Sequence, residues 1–260
     1  YGLATAVFLA INLLLLFFKD YLDVQTLSNV IIINLSGVEG ALSLLYFGDA
    51  VSYHLWFLPA LIISIGIVYV FQMFEKVSIL LPASFLIHIV GVASQAYNIV
   101  SLPAQPRDFL FFGLFFVSAG FYISENNLGE RFGSYMSLKF FFLATALHIA
   151  EGLFISSFYP VVNVPSLDYS FFTFLTSLTL FIYILSNPEL GKGTILESYG
   201  GESLWIYILH PIFLFVPIAS SRIITKIIGI SVAESLVYQM LIAPIAFILT
   251  AEFVLKCKNV

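Results

Sequence analysis

The chain has 260 residues, of which 60% are hydrophobic and 10% are charged. Soluble globular domains carry about 25% charged residues, so this composition excludes that class. The net charge of −5 arises from few ionisable groups, and no basic cluster suggests nucleic acid as a partner. The single cysteine, Cys257, excludes an intrachain disulfide and a cysteine-based metal motif.

Apolar segments of about 20 residues recur along nearly the whole chain, which predicts an all-α, polytopic helical membrane protein. The loops between them are short, the longest being 125–139 and 187–203, so we expect a single integral-membrane domain over residues 1–260. The predicted membrane segments, eight or nine in number, are 2–18, 28–47, 55–74, 79–100, 109–124, 140–159, 169–186, 204–221 and 232–255.

The segment 28–47 is more polar than a lipid-facing helix tolerates. It contains asparagines, serines and Glu39, with Gly37 and Gly40 near the carboxylate. Such a segment either packs inside the bundle or forms a re-entrant piece beside a cavity, because lipid cannot satisfy exposed polar groups. We favour the re-entrant interpretation, which leaves eight crossing segments.

The Lys and Arg residues of the loops predict the orientation in a cell membrane, because positive loops stay cytoplasmic. If all nine segments cross, one side holds three of the ten Lys and Arg residues (Arg107, Arg222 and Lys226) and the other holds the remaining seven. A re-entrant 28–47 changes only the side of Lys19. The more positive side is expected to be cytoplasmic, together with the carboxyl terminus.

A polar stripe marks the segment 79–100. Ser84, His88, Gly91 and Gln95 follow one another at spacings of four, three and four residues. These spacings place them on one face of a helix, and their polarity and small size indicate a face turned to protein or water.

A second histidine occurs in the segment 140–159. His148 and Glu151 are one helical turn apart, with Thr145 and Gly152 on the same patch. A carboxylate at that distance can orient the imidazole or raise its pKa. The closeness of an acid to a membrane histidine favours a functional role over packing.

The third histidine lies in the stretch 200–213. Ser203, Tyr207 and His210 fall on one helical stripe, just after the carboxylate of Glu202. Pro211 removes one helical hydrogen bond and leaves the carbonyl of Tyr207 without its partner. Ionisable residues at mid-membrane are costly and usually line a cavity, so we interpret this stripe as part of a site.

Two interpretations of the three histidines remain open. They converge at one depth as acid–base groups, or each bonds across its own helix pair, where a contact is worth roughly 1 kcal/mol. Three histidines with a carboxylate also suit zinc, but the residues lack a motif spacing, so no metal is expected.

The aromatic stretch 53–57 precedes a long apolar segment, and Tyr and Trp at that place are typical of the membrane interface. An interfacial role explains the aromatic residues but not the order of His54, Trp56 and the following Leu58-Pro59.

Three stretches, in order along the chain, resemble the membrane-bound acyltransferase 3 family, which modifies bacterial cell-surface polysaccharides and related glycosides. The stretch 54–58 (HLWFL) resembles the opening of a middle helix in that family. The stretch 111–120 (FFGLFFVSAG) is similar to its Phe-rich helix, and 203–210 (SLWIYILH) is similar to its late Ser-x-x-Ile-Tyr-Leu-x-His signature.

The resemblance implies transfer of an acyl group, commonly acetyl, from acyl-CoA to a hydroxyl of a glycan or glycolipid, in a prokaryotic inner membrane. It implies no permanently bound cofactor. The catalytic candidates are His210, Tyr207, His148 and Glu151. The substrate-binding candidates are His54, Trp56, Ser203, Glu202, His88 and Glu39.

The family's principal base is a histidine about ten residues after an arginine in the first helix. No histidine follows Arg107, Arg131 or Arg222 at that distance. Residue 1 is Tyr1, which leads directly into an apolar segment, so we expect the chain to be the carboxyl-terminal part of a longer domain.

Two other classes of protein are alternatives. A secondary transporter, or a protein for lipid or glycan passage, also uses polar groups at the midplane and broken helices. A non-catalytic membrane subunit would use the same polar residues only for helix packing. The lack of a convincing internal repeat and the small number of charges count against a transporter.

Overall fold

A computed structural model of the protein describes residues 2, 4–6, 37–48, 53–102, 108–158, 169–229 and 235–258. The described residues form helices and no strand, which confirms the predicted all-α class for this part of the chain. They divide into two compact units, 1–188 and 189–260, and each unit is described by itself.

The helices of the first unit differ in length, and two of them begin or end with a π-helical turn. They are α1 (Gly37–Leu42), continued by a π turn over Ser43–Phe47; α2 (Phe57–Met73), after a 3₁₀ turn over Tyr53–Trp56; α3 (Val77–Gln95); α4 (Leu114–Glu125), after a π turn over Phe109–Gly113; α5 (Leu128–Phe158); and α6 (Phe171–Leu185). The described helices of the second unit are α7 (Ile195–Gly201), α8 (Ser203–Ile228) and α9 (Leu236–Lys258).

Five described helices are long and apolar enough to cross a membrane, namely α2 with its preceding turn, α3, α5, α8 and α9. Two shorter apolar helices, α4 with its π turn and α6, match the predicted segments 109–124 and 169–186. Of the predicted segment 2–18 only residues 2 and 4–6 are described, and of 28–47 only residues 37–47, which form α1 and its π turn. The chain is therefore a helical membrane protein, and the number of its segments stays a prediction.

The two long loops predicted from hydropathy contain helical residues, so that prediction was wrong. In 125–139, helix α5 begins at Leu128, and 187–203 contains α7. Charged residues such as Arg131 lower the hydropathy of these stretches without preventing a helix. Gly133, with φ 67° and ψ 164°, interrupts α5, so the long apolar part of that helix follows the break.

Helices α5 and α6 form the most extensive helix pair of the first unit. They approach closely at Gly129, where a Cβ atom would lie 3.1 Å from the backbone carbon of Leu185. Ser186 Oγ donates a hydrogen bond to the Gly129 carbonyl at 2.7 Å. This contact aligns the start of α5 with the end of α6.

The π turn before α4 is held by Asp108, whose side chain is buried. Its carboxylate accepts hydrogen bonds from the backbone N–H groups of Leu110 and Phe111, both at 2.9 Å. Tyr46 donates a third hydrogen bond at 2.8 Å. A carboxylate at a helix start satisfies N–H groups that have no partner within the helix. The Asp108 carboxylate therefore holds the backbone at Phe111, whose carbonyl oxygen accepts a hydrogen bond from His88.

Candidate functional site

His88 lies at the middle of α3 with no exposed surface. Its Nδ1 is 2.8 Å from the carbonyl oxygen of Phe111, so Nδ1 donates and Nε2 carries the lone pair of the neutral ring. Within the part of the chain that is described, Nε2 has no hydrogen-bond partner. The imidazole stacks between Phe115 and Tyr169, with centroid distances of 4.8 and 5.5 Å. Three further rings contact it edge-on, those of Phe112, Phe116 and Phe174.

These aromatic rings give His88 a packing role in the first unit, and its predicted substrate contact stays a prediction. The predicted stripe itself is confirmed as a protein-facing surface, because Ser84, His88 and Gly91 are buried and Gln95 is half-buried. Burying the unpartnered Nε2 costs far less for an uncharged imidazole than for an imidazolium ion.

Gly91 leaves space for the phenol of Tyr169 against α3. A Cβ atom at this position would lie 2.7 Å from the Tyr169 hydroxyl oxygen and 2.9 Å from Phe111 Cβ. We expect Gly91→Ala to lower the free energy of unfolding by about 1–3 kcal/mol, the usual cost of overpacking. Denaturant unfolding in mixed micelles measures this change.

Gly152→Ala in α5 is the matched control, since nothing lies within 4 Å of a Cβ atom there. Alanine at that helical position should leave stability unchanged or raise it by up to about 1 kcal/mol. Equal stabilities of the Gly91 and Gly152 variants would contradict the packing of Tyr169 against α3.

Glu151 in α5 binds the start of α6. Its Oε2 accepts hydrogen bonds from Ser170 Oγ at 2.6 Å and from the backbone N–H of Phe172 at 2.9 Å. Its Oε1 accepts from the backbone N–H of Phe171 at 2.8 Å and from the hydroxyl of Tyr97. The carboxylate is therefore a capping group donated by a neighbouring helix, with its negative charge at the positive end of the α6 dipole.

His148 lies at the edge of this arrangement, with 40% of its side chain exposed. Its Nδ1 is 3.3 Å from Ser170 Oγ and 3.9 Å from Glu151 Oε2. The predicted closeness of His148 and Glu151 is present, but the shorter contacts of the carboxylate go to Tyr97 and to donors at the start of α6. A catalytic role for this pair stays a prediction, while the capping role follows directly from the distances.

The candidates near the start of α2 belong to aromatic packing. Trp56 contacts Phe57 and Phe112 edge-on, with centroid distances of 6.0 and 5.6 Å. Because Phe112 also contacts the ring of His88, Trp56 extends the same aromatic cluster. His54 is half-buried in the turn before α2. The side chain of Glu39 lies outside the described part of the structure.

The second unit contains a cavity of about 650 Å³ formed by α7, α8 and α9. Ser203, Tyr207 and His210, the stripe predicted from helical spacing, all line it. The remaining lining is largely apolar, from Leu196, Tyr199, Gly200, Ile206, Leu214, Ala243, Ala246 and Phe247. Helices α8 and α9 are candidate membrane spans, so this cavity lies among membrane-spanning residues.

The imidazole of His210 has a defined orientation on the cavity wall. Its Nδ1 is 2.7 Å from the carbonyl oxygen of Tyr207, the carbonyl that Pro211 leaves without a helical partner. The Nδ1–H therefore donates to the backbone, which fixes the tautomer and leaves the lone pair on Nε2. The ring of Tyr207 is 5.9 Å from that of His210. An imidazole held in this way can accept a proton from an alcohol.

Tyr199 and Glu252 are members of this region that the sequence interpretation missed. The Tyr199 hydroxyl donates a hydrogen bond to Glu252 Oε1 at 2.9 Å, which raises the pKa of Tyr199 above its ordinary value. Tyr199 stands four residues before Ser203, so extending the stripe through the two glycines would have found it. Glu252 has no such local signal, because its partner belongs to another helix.

Glu202, predicted to bind substrate, forms an ion pair within the second unit. Its carboxylate pairs with Lys258 Nζ and is 13% exposed. It borders a separate cavity of about 340 Å³ with Trp205, Leu209 and the end of α9, and it is not among the residues that line the His210 cavity.

Comparison with protein-family models, curated proteins and solved structures finds no match to this chain. Among the described residues, no three His, Cys, Asp or Glu side chains are grouped so that they could hold a metal ion. The fold and the cavity define the class: a helical membrane protein with a largely apolar cavity in its second unit and a stripe of polar side chains on the cavity wall.

Proposed function

We propose that this protein is a membrane O-acyltransferase, which moves an acyl group from acyl-CoA to a hydroxyl of a cell-surface glycan or glycolipid. The observation that supports it most strongly is the imidazole of His210, anchored by its Nδ1–H on the Tyr207 carbonyl within the cavity. This arrangement places an imidazole nitrogen in largely apolar surroundings. The resemblance of 54–58 and 203–210 to the acyltransferase 3 family supports the same reaction.

In the proposed reaction, His210 Nε2 takes the proton of the acceptor hydroxyl. At the same time the oxygen of that hydroxyl attacks the thioester carbonyl. The new carbon–oxygen ester bond forms, the carbon–sulfur bond breaks, and the imidazolium returns the proton to the departing thiolate of coenzyme A. Tyr207 and Ser203 on the same wall are the candidate donors to the tetrahedral oxyanion. We assign the proton transfer to His210 because its imidazole lines the cavity and is oriented there by the hydrogen bond from Nδ1 to the Tyr207 carbonyl.

The test uses the protein purified in lipid nanodiscs, with labelled acyl-CoA and a mixture of cell-surface glycans and glycolipids. The proposal predicts release of free coenzyme A together with an alkali-labile ester on the acceptor. Flux of the acceptor across liposomes without covalent change would indicate a transporter instead. Inertness in both assays would indicate a packing subunit, and either result would contradict the proposal.

A further inference from the structure

We infer that the His210 cavity takes the alkyl chain of a long-chain acyl thioester, rather than the acetyl group that the family resemblance implies. The chemistry at the carbonyl rests on the proposed function. The binding of the chain rests separately on the size and lining of the cavity, so the two can fail independently.

The cavity is far larger than an acetyl group. At about 30 Å³ for each water-sized group, its volume of about 650 Å³ holds roughly 20 such groups. A methylene group is of similar size, whereas acetyl contributes only two carbons and an oxygen. A chain of about 12 carbons would fill much of the remaining space.

The distribution of polar atoms also suits an amphipathic ligand. Tyr199, Ser203, Tyr207 and His210 lie on α7 and α8, whereas α9 contributes only apolar side chains to the lining. Along α8 the lining extends from Ser203 to the apolar Leu214, a rise of about 16 Å at 1.5 Å for each residue. A thioester carbonyl at the polar stripe therefore has an apolar wall along which its chain can lie.

Part of the space exists because two of the three α9 side chains that line the cavity are small. Ala243 and Ala246 line it, and a larger residue at either position would occupy part of its volume. Ala246 is buried, so a large substitution there risks unfolding, but Ala243 is exposed and lines the cavity. Because α8 and α9 are candidate membrane spans, an alkyl chain would enter this cavity from hydrocarbon.

The first experiment measures kcat/KM for acetyl-, butyryl-, octanoyl- and dodecanoyl-CoA with the protein in nanodiscs. Burial of each methylene contributes up to about fourfold, so we expect dodecanoyl-CoA to exceed acetyl-CoA by at least tenfold. Ala243→Phe should lower the dodecanoyl-to-acetyl ratio at least tenfold. Ala219→Phe, at an exposed position of α8 outside the cavity lining, is the matched control and should keep the ratio.

The second experiment detects the chain without requiring turnover. Dodecanoic acid with a terminal diazirine is photolysed with the protein, and the labelled peptides are mapped. Labelling of the α8 and α9 residues that line the cavity, lost in Ala243→Phe and displaced by dodecanoyl-CoA, supports the inference. Labelling elsewhere overturns it. Displacement by excess phospholipid but not by dodecanoyl-CoA also overturns it, because the occupant would then be a membrane lipid.

The two experiments separate the two proposals. Cavity labelling without transfer of any acyl group would refute the proposed function and support chain binding. Transfer that is fastest with acetyl-CoA, together with no cavity labelling, would support the proposed function and overturn the inferred chain.

Discussion

His210→Ala is expected to lower the rate of acyl transfer by at least tenfold, with the protein still produced and inserted in the membrane. General-base catalysis contributes about 10²–10⁴-fold, so tenfold is a conservative lower bound. His210→Asn sharpens the test, because an amide can still donate to the Tyr207 carbonyl but has no basic nitrogen. Both variants should therefore lose activity, whereas loss in the alanine variant alone would indicate that only the backbone contact matters.

Ser220→Ala is the matched control for these variants. Ser220 lies on the same helix, is exposed, and donates a hydrogen bond to the carbonyl of Val216. It should retain the wild-type rate in the nanodisc assay. Near wild-type turnover in both His210 variants would remove this imidazole from the reaction.

Much of the fold was predictable because insertion into lipid depends on composition. A run of about 20 apolar residues is required to span hydrocarbon, and this requirement locates α2, α3, α8 and α9 to within several residues. The break at Gly133 and the helical residues before it were not predictable in the same way. They depend on one backbone conformation and on contacts with α6, which leave no signal in hydropathy.

The local part of the candidate site was also predictable. Helical spacing placed Ser203, Tyr207 and His210 on one face, and the missing helical hydrogen bond at Pro211 indicated an available carbonyl at Tyr207. In the structure, Nδ1 of His210 forms a hydrogen bond to that carbonyl oxygen. Both signals act within two turns of one helix, which is why the sequence alone contains them.

Contacts between distant segments carried no such signal. The spacing of His148 and Glu151 indicated a pair, whereas the carboxylate caps α6 and also accepts a hydrogen bond from Tyr97, 54 residues away. Likewise, the stripe containing His88 predicted a buried face but not the aromatic rings that enclose the imidazole. The prediction that the three histidines share one chamber involves both units and stays a prediction.

Glu151→Ala should be among the most destabilising single substitutions in the first unit. It removes the acceptor of two backbone N–H groups, at Phe171 and Phe172, and of the hydroxyls of Ser170 and Tyr97. Each buried donor left without a partner costs about 1–3 kcal/mol, and water or rearrangement recovers part of that cost. We expect a loss of about 3–5 kcal/mol in the free energy of unfolding, measured by denaturant titration in mixed micelles.

Two further variants distinguish capping from a catalytic role. Glu151→Gln keeps one acceptor oxygen but turns a donor towards the N–H groups of α6, so its loss should be smaller than that of alanine yet clearly measurable. Glu130→Ala, at an exposed position in the first turn of the same helix, should change stability by less than about 1 kcal/mol.

Hydrogen exchange at the amides of Phe171 and Phe172 should accelerate in Glu151→Ala. If that variant instead loses acyl transfer with unchanged stability and exchange, the carboxylate serves His148 and the capping interpretation is wrong.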